Sequence, residues 1–241
     1  MMRKTRLQEV NITRIPIDMP ALRYIIAIFF ACSGSMLFAQ QQDAVFTGAI
    51  SIEKKLTRSW SATGYVQASL HENVSEFGYA LYDAGAGYKI TRRLSAELHY
   101  RYATIRSTEN LLESRQYLYG DLQYVRSFGD FTCIARTRYM VKSYGPLFSE
   151  EDNFRDDKHF LRNRLQVKYD LGVHSDIFLA AEQIFRMDGN NETDQMRYSG
   201  GYNYTFNMHH RLQLQYTIAR DANKREPDTD FISGVTYYYK F

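Results

Sequence analysis

The chain has 241 residues and carries 30 Lys and Arg against 27 Asp and Glu, a formal net charge of +3. Five of the basic and two of the acidic residues lie within residues 1–39, so the rest of the chain is electrically neutral. A neutral chain has no basic footprint for nucleic acid, and we expect no nucleic-acid partner. Only Cys133 follows residue 39, which excludes an intrachain disulfide there.

Residues 1–39 have the layout of a signal peptide. A mainly apolar run over residues 25–37 follows Arg23 and ends just before Ala39, a small residue suited to cleavage. The run is too short for a membrane-spanning helix, which needs about 20 apolar residues. We predict cleavage after Ala39, with Met19 as an alternative start of the leader. A membrane-anchored N-terminus is the other interpretation.

Residues 40–241 predict a single domain built from strands. In segment 94–104, Leu98 and Tyr102 share one face with the other even-numbered residues, whereas Glu97 and Arg101 lie on the opposite face. Apolar and polar residues thus alternate with a period of two, which is typical of strands. The same alternation marks eleven segments: 44–56, 60–71, 77–90, 94–104, 116–126, 131–144, 159–171, 177–187, 195–206, 211–220 and 230–241.

The connections between these segments alternate in length. Short ones occupy residues 57–59, 91–93, 127–130, 172–176 and 207–210. The others are generally longer and polar, at residues 72–76, 105–115, 145–158, 188–194 and 221–229. Short periplasmic turns and long extracellular loops are typical of an outer-membrane barrel, and a soluble sandwich has no reason to separate its loops in this way.

The distribution of charge predicts which face of each strand points outward. One face carries Arg, Lys, Glu, Gln and His in strand after strand, and the other is rich in Tyr, Leu, Ala and Gly. A closed barrel in lipid satisfies its backbone groups between strands and turns its apolar face outward. Tyrosine and tryptophan near the strand ends are expected to form two interfacial girdles. These are Trp60, Tyr88, Tyr169 and Tyr204 on the periplasmic side and Tyr102, Tyr144, Tyr198 and Tyr216 on the other.

The predicted fold class is therefore all-β: an antiparallel transmembrane β-barrel of 10–12 strands. Bacterial single-chain barrels have even strand numbers. We accordingly expect ten or twelve strands in the wall, with one strand missed or one of the eleven segments outside it. A soluble, ligand-carrying barrel with its apolar face inward is the alternative.

Two resemblances to known outer-membrane proteins support the predicted fold class. The last eight residues combine a glycine, spaced aromatics and a terminal phenylalanine, namely Gly234, Tyr237, Tyr239 and Phe241. This pattern resembles the C-terminal assembly signal of outer-membrane proteins. That resemblance implies the outer-membrane assembly machinery as a transient partner. Residues 40–241 also resemble an uncharacterised outer-membrane family, domain of unknown function 2490, in five short segments: 52–56, 85–90, 98–102, 160–165 and 182–185. The family implies location and fold but no activity.

Charged residues on the predicted lumen faces are the candidate functional residues. They are Glu97, Arg101, Asp121, Arg136, Arg138, Arg162, Arg164, Glu182 and Arg186. Facing residues on adjacent strands stand roughly 4.5–5.5 Å apart, so these charges can form rows across the inner wall. One hypothesis is an ion-pair network that rigidifies and plugs a narrow barrel. The other is an arginine-lined constriction that favours anions.

Catalysis and metal binding have weaker support. Ser69, His71 and Glu72 are the best catalytic constellation that the sequence offers, so an outer-membrane lipid-modifying enzyme stays an alternative. Asp188 to Asp194 places oxygen ligands at alternate positions, like the start of a calcium loop, but lacks the downstream Glu of an EF-hand. We expect no metal site and no cofactor.

The leading functional prediction is non-enzymatic: a small channel for polar or anionic solutes, or a structural barrel of the cell outer membrane. A surface-binding module that acts through its long loops is a further alternative. Outer-membrane lipid and lipopolysaccharide are the expected partners. For the acidic segments 150–152 and 156–157 the favoured interpretation is a solvated hairpin loop, and a bridge to lipopolysaccharide through divalent cations is the alternative.

Overall fold

The computed structural model describes residues 42–106, 112–143, 157–188, 192–222, 224 and 227–241. These residues fall within one compact unit, residues 40–241. The predicted leader lies outside the described residues, so cleavage after Ala39 stays a prediction. Within the described ranges, no helix is long and apolar enough to cross a membrane.

The described residues form eleven β-strands, one for each predicted segment. They are β1 Gln42–Lys55, β2 Trp60–His71, β3 Glu76–Lys89, β4 Leu94–Arg106, β5 Leu112–Phe128, β6 Phe131–Ser143, β7 Lys158–Asp170, β8 Ser175–Arg186, β9 Glu192–Thr205, β10 His210–Asp221 and β11 Thr229–Lys240. The largest extension beyond prediction is at the start of β5, where Leu112 pairs with Arg106 of β4. The residues there are mostly polar, so backbone pairing extends the strand past the point where alternation ends.

The strands close into one barrel in chain order, and the seam between β1 and β11 is parallel. The expectation of ten or twelve strands is wrong for the described residues, since all eleven lie in the wall. The antiparallel prediction holds for every other pair of neighbours in the described barrel and fails at this seam. The reason is geometric: with an odd number of alternating strands, the first and last run in the same direction. At the seam Phe46 pairs with Ser233 and Ile50 with Tyr237.

The two ends of the barrel differ in their connections. At one end, here called the turn end, the strands are joined by two to four residues. At the opposite end, the loop end, the connections have four to fourteen residues. β1 and β11 are parallel, so both strands run from the loop end to the turn end.

Three of the five turns at the turn end share one local design. The hydroxyl of Thr57 accepts hydrogen bonds from the backbone amides two and three residues later, at 3.2 and 3.0 Å. Thr91 repeats this contact with the same two distances. The side chain of Asn207 does the same at 2.9 and 3.0 Å. Such side-chain turns fix each hairpin locally, and hairpin geometry sets the strand register.

The outer face of the barrel is apolar. Leu98 is 59% exposed and Leu179 73% exposed, whereas His99, the chain neighbour of Leu98, is only 9% exposed. Outward-facing apolar side chains would be unfavourable in water and are stable against hydrocarbon, and a closed barrel leaves no strand edge unpaired. The fold is that of a transmembrane β-barrel, as predicted. The soluble alternative, with its apolar face inward, does not fit this surface.

Aromatic side chains cluster near both ends of the outer face. At the turn end, the rings of Trp60 and Tyr88 have centroids 4.9 Å apart. Near the loop end, Tyr102 and Tyr198 are 38% and 54% exposed. Tyr144, which was predicted for the same girdle, lies outside the described residues. Rings at these heights are suited to the two membrane–water interfaces.

Candidate functional site in the barrel lumen

The barrel encloses a cavity of about 810 Å³. All eleven strands contribute lining side chains, because every second residue of each strand points inward. The lining contains eight cationic side chains, Arg101, Arg136, Arg138, Arg162, Arg164, Lys168, Arg197 and Arg211. It contains four carboxylates, Asp83, Glu97, Asp121 and Glu182. The described lumen thus has a surplus of positive charge, and the two signs are unevenly distributed.

One side of the lumen, on β3 to β6, holds a hydrogen-bonded group that we call the compensated cluster. Its members are Asp83, Glu97, His99, Arg101, Tyr119, Asp121 and Arg138. Two arginines meet three carboxylates here, so the positive surplus of the lumen lies elsewhere.

His99 occupies the centre of the compensated cluster. Its Nδ1 lies 2.8 Å from Oδ1 of Asp83, and its Nε2 lies 3.0 Å from Oε2 of Glu97. The imidazole stacks on the ring of Tyr119, with centroids 4.8 Å apart and planes 6° from parallel. Gly85, opposite His99 on β3, leaves room for the ring, since a Cβ there would lie 2.3 Å from Nδ1. The imidazole of His99 is therefore fixed by contacts at both ring nitrogens and on one face of the ring.

Arg138 and Asp121 form the tightest ion pair of the cluster. Nε and Nη2 of Arg138 donate to the two carboxylate oxygens of Asp121 at 2.6 and 2.7 Å. The guanidinium lies 3.8 Å from the ring centroid of Tyr119, and the hydroxyl of Tyr119 donates to Asp83. Arg101 donates from Nε to Oδ2 of Asp83 at 2.8 Å. Bidentate and charge-assisted bonds of this kind are strong and directional.

The opposite side of the lumen, on β6 to β10, we call the cationic wall. It consists of Arg136, Arg162, Arg164, Glu182, Arg197 and Arg211. Glu182 is its one carboxylate and serves two arginines. Nη2 of Arg136 donates to Oε1 at 2.9 Å, and Nη2 of Arg162 donates to Oε2 at 2.8 Å.

Three arginines of the cationic wall have no carboxylate within ion-pairing distance among the described residues. Arg164 donates from Nη2 to the amide oxygen of Gln166 at 3.0 Å. Arg197 donates from Nε to the amide oxygen of Gln195 at 2.5 Å. The guanidinium of Arg211 lies over a ring of β11, that of Tyr238, at 4.1 Å. Their charges supply the surplus of the lumen.

The structure brings most of the sequence-predicted charges together in the cavity. Eight of the nine line it, namely Glu97, Arg101, Asp121, Arg136, Arg138, Arg162, Arg164 and Glu182. Arg186 lies closer to the loop end and donates to Asp194. Their functional role stays a prediction.

Sequence reasoning did not select several residues that complete these two groups. They are Asp83, His99, Tyr119, Arg197 and Arg211. His99 and Arg197 stand on the polar faces that alternation identified, so the signal that found their neighbours covers them too. Alternation does not predict how the strands pair. That pairing brings Arg101 to Asp83 and Arg138 to Asp121.

The candidate catalytic constellation is not joined by hydrogen bonds in the described structure. Ser69 is 1% exposed, and its hydroxyl accepts from the backbone amide of Tyr79 at 3.1 Å. His71 instead has Nδ1 at 3.5 Å from Oδ2 of Asp43. Glu72 lies in a tight turn with φ of 50°. A nucleophile needs a base within hydrogen-bonding reach, and no such bond joins Ser69 to His71 among the described contacts.

The acidic segments that were considered as metal ligands are only partly described. Asp188 accepts from the backbone amide of His159 at 2.9 Å, and Asp194 accepts from Arg186. Residues 189–191 and the acidic residues 150–152 and 156 lie outside the described part. Among the residues that the structure describes, no three His, Cys, Asp or Glu side chains are grouped to hold a metal ion.

Comparison with known proteins identifies one family. The model described as "Protein of unknown function (DUF2490)" matches residues 48–229. The resemblance predicted from the sequence is thereby confirmed. None of the curated proteins compared with the chain matches it.

Three solved structures illustrate what the barrel is similar to. A bacterial polysaccharide outer membrane secretin is 8% identical with a TM-score of 0.49, over 73% of this chain and 63% of that one. The present chain thus spans less than two thirds of the secretin's length. The NanC porin is 11% identical with a TM-score of 0.48, over 83% of this chain and 99% of that one. The beta domain of the Bordetella autotransporter BrkA is 13% identical with a TM-score of 0.44, over 76% and 83%.

Proposed function

Since the chain belongs to the DUF2490 family, proteins of unknown function, we propose its role from the barrel itself: a non-enzymatic channel of the outer membrane for small anionic solutes. The observation that carries this proposal is the surplus of cations over carboxylates around the lumen cavity. Rings of charged side chains set ion selectivity in pores, and a cationic lining favours anions.

The dimensions of the cavity support passage of small solutes. Its lining extends from Thr132 and Lys168 near the turn end to Tyr79 and Ile232, three residues from the loop-end limits of β3 and β11. A volume of about 810 Å³ lies in the range that accommodates single small molecules.

The proposed location follows from the outer face and the leader. Closed barrels of this kind, with apolar bands and aromatic girdles, are the transmembrane proteins of the outer membrane in Gram-negative cells. The predicted signal peptide would carry the chain across the inner membrane. Outer-membrane lipid and lipopolysaccharide would then contact the apolar outer face.

Reversing one charge of the cationic wall is expected to weaken anion preference. In planar bilayers with a KCl gradient, the wild-type reversal potential should have the sign of chloride selectivity. Arg164→Glu changes the lumen charge by two, and Arg136→Glu also adds a carboxylate beside Glu182, so each variant should lower the chloride-to-potassium permeability ratio by about twofold or more. The matched control is Arg126→Glu, since Arg126 is exposed and stacks on Phe128 at the turn end.

Equal reversal potentials in the wild type and both lumen variants would contradict the channel proposal. A complete absence of conductance would favour the second candidate, a structural barrel of the envelope. The compensated cluster is the observation behind that candidate, because its hydrogen bonds tie four adjacent strands together along one side of the lumen.

The outer-membrane assembly machinery is the proposed transient partner, recognising the end of β11. Phe241 is 60% exposed at the turn end, and its ring meets that of Tyr239 edge-on at 4.5 Å. Gly234, at the seam, leaves space for Thr47, whose hydroxyl would lie 2.8 Å from a Cβ. The apolar terminal ring is thus presented outward, where a partner can bind it.

Phe241→Ala is therefore expected to lower the amount of folded barrel in the outer membrane severalfold. The measurement is membrane fractionation in a Gram-negative host, with heat-dependent gel mobility to count folded molecules. Phe128→Ala is the control, because Phe128 is another exposed turn-end aromatic but does not end the chain. Equal losses in the two variants would show that only the girdle matters and would rule out a terminal signal.

A further inference from the structure

We propose that Arg164 and Arg211, with Tyr238 beside them, form a saturable binding site for a small oxyanion, meaning a carboxylate or phosphate group. The inference rests on the proposed function in that the bound anion is the solute the channel admits. A general anion preference would come from all the cationic side chains of the lumen. The proposed site instead assigns anion binding to two guanidinium groups, so binding should be saturable.

Counter-charges are unevenly distributed over the cationic wall. Arg136 and Arg164 face each other directly across β6 and β7. Like charges in directly facing positions of adjacent strands repel. Glu182 faces Arg164 across β7 and β8 but accepts from Arg136 at 2.9 Å and from Arg162 at 2.8 Å, whereas Arg164 donates to the neutral amide of Gln166. The charge of Arg164 therefore lacks a carboxylate partner in the described lumen.

Both arginines keep a buried hydrogen-bond donor without an acceptor in the described part of the chain. The Nε atoms of Arg164 and Arg211 are both buried, and neither has a hydrogen-bond partner among the described residues. Buried donors in folded proteins are nearly always paired. A guanidinium offers five N–H groups and no acceptor, so an oxyanion is the partner that it suits best.

Arg164, Arg211 and Tyr238 all line the same cavity. Arg211 lies over the ring of Tyr238 at 4.1 Å. The two arginines stand on β7 and β10, so the site joins strands that are not neighbours in the barrel. Stacking on the ring holds the guanidinium of Arg211 in one orientation.

The chemistry of these groups selects the class of ligand. None of the three side chains is a carboxylate, so the site has no ligand for a cation. Planar guanidinium groups bind carboxylate and phosphate through paired, charge-assisted hydrogen bonds, which a spherical chloride ion cannot match. The hydroxyl of Tyr238 donates to Oε1 of Gln213 at 2.9 Å and so is already oriented.

The test is equilibrium binding to the full-length protein, purified from membranes in detergent. Inorganic phosphate and citrate are the probes, measured by titration calorimetry at constant ionic strength with chloride as the reference anion. We expect saturable binding near one equivalent, weakened about tenfold or more by Arg164→Gln and by Arg211→Gln. Arg126→Gln, a change on the outer face, should bind like the wild type.

A charge-retaining variant and a folding check keep the result interpretable. Arg164→Lys retains the charge but loses the Nε donor, so it should weaken binding while anion preference in bilayers persists. Folding of each variant is checked by heat-dependent gel mobility and by the fluorescence of Trp60, the single tryptophan. A variant that fails to fold is replaced by the lysine form at the same position.

The outcomes separate the two proposals. Saturable binding that needs both arginines, without any conductance, supports the site and contradicts the channel. Anion-selective conductance without saturable binding overturns the site and leaves the channel standing. Binding that is unchanged in Arg164→Gln and Arg211→Gln overturns the site as well.

Discussion

Asp121→Leu is expected to lower the free energy of unfolding by about 3 kcal/mol or more, because it leaves the guanidinium of Arg138 buried without its counter-ion. Asp121 and Arg138 are 6% and 7% exposed, and two hydrogen bonds of 2.6 and 2.7 Å join them. Urea unfolding in lipid vesicles, followed by the fluorescence of Trp60, measures the change.

A double-mutant cycle distinguishes a lost ion pair from lost packing. Arg138→Met alone should also destabilise the barrel, since it leaves Asp121 buried and unpaired. The combined variant should be more stable than the sum of the single losses implies, because no isolated charge remains. Losses that simply add would contradict the view that Asp121 and Arg138 act as a unit.

Gly201→Ala is expected to destabilise the barrel by about 1–3 kcal/mol through overpacking. A Cβ at Gly201 would lie 2.5 Å from the backbone carbonyl oxygen of Leu214 and 2.5 Å from the ring of Phe178. Phe178 is 3% exposed and pairs with Gly201 across β8 and β9, so its ring fills the space above the glycine. Neither the ladder carbonyl nor the buried ring has room to move away.

Gly64→Ala is the matched control for this substitution. Gly64 also lies within a strand, and nothing comes within 4 Å of a Cβ built on it. Its alanine variant should unfold at nearly the same urea concentration as the wild type. If both alanine variants lose stability equally, the close contact with Phe178 is not the cause.

The two sides of the lumen divide the roles proposed here. The compensated cluster matches its charges internally and joins β3 to β6, which makes it a stabilising element. The cationic wall keeps three arginines without carboxylate partners in the described residues, which makes it the surface available to a solute. Variants in the first should therefore alter mainly stability, and variants in the second mainly selectivity and binding.

The expected strand number was wrong, and several side-chain contacts could not be predicted from the sequence, each for a physical reason. The even strand number was a rule drawn from other barrels, and the parallel pairing of β1 with β11 replaces it here. The bond between Asp83 and Arg101 joins residues 18 positions apart in the chain. Ser69 and His71 are close in the chain, yet each bonds to a different neighbour.

The sequence by itself determined the strands and their two faces, because side chains alternate sides with a period of two and the membrane demands that the apolar side face outward. Leu98 and His99 could thus be assigned to opposite sides of the wall from their order alone. Only the tertiary structure decided how the wall closes and which charge meets which. Strand register and closure bring distant residues together, so it is the barrel that gives Arg138 a carboxylate and leaves Arg164 without one.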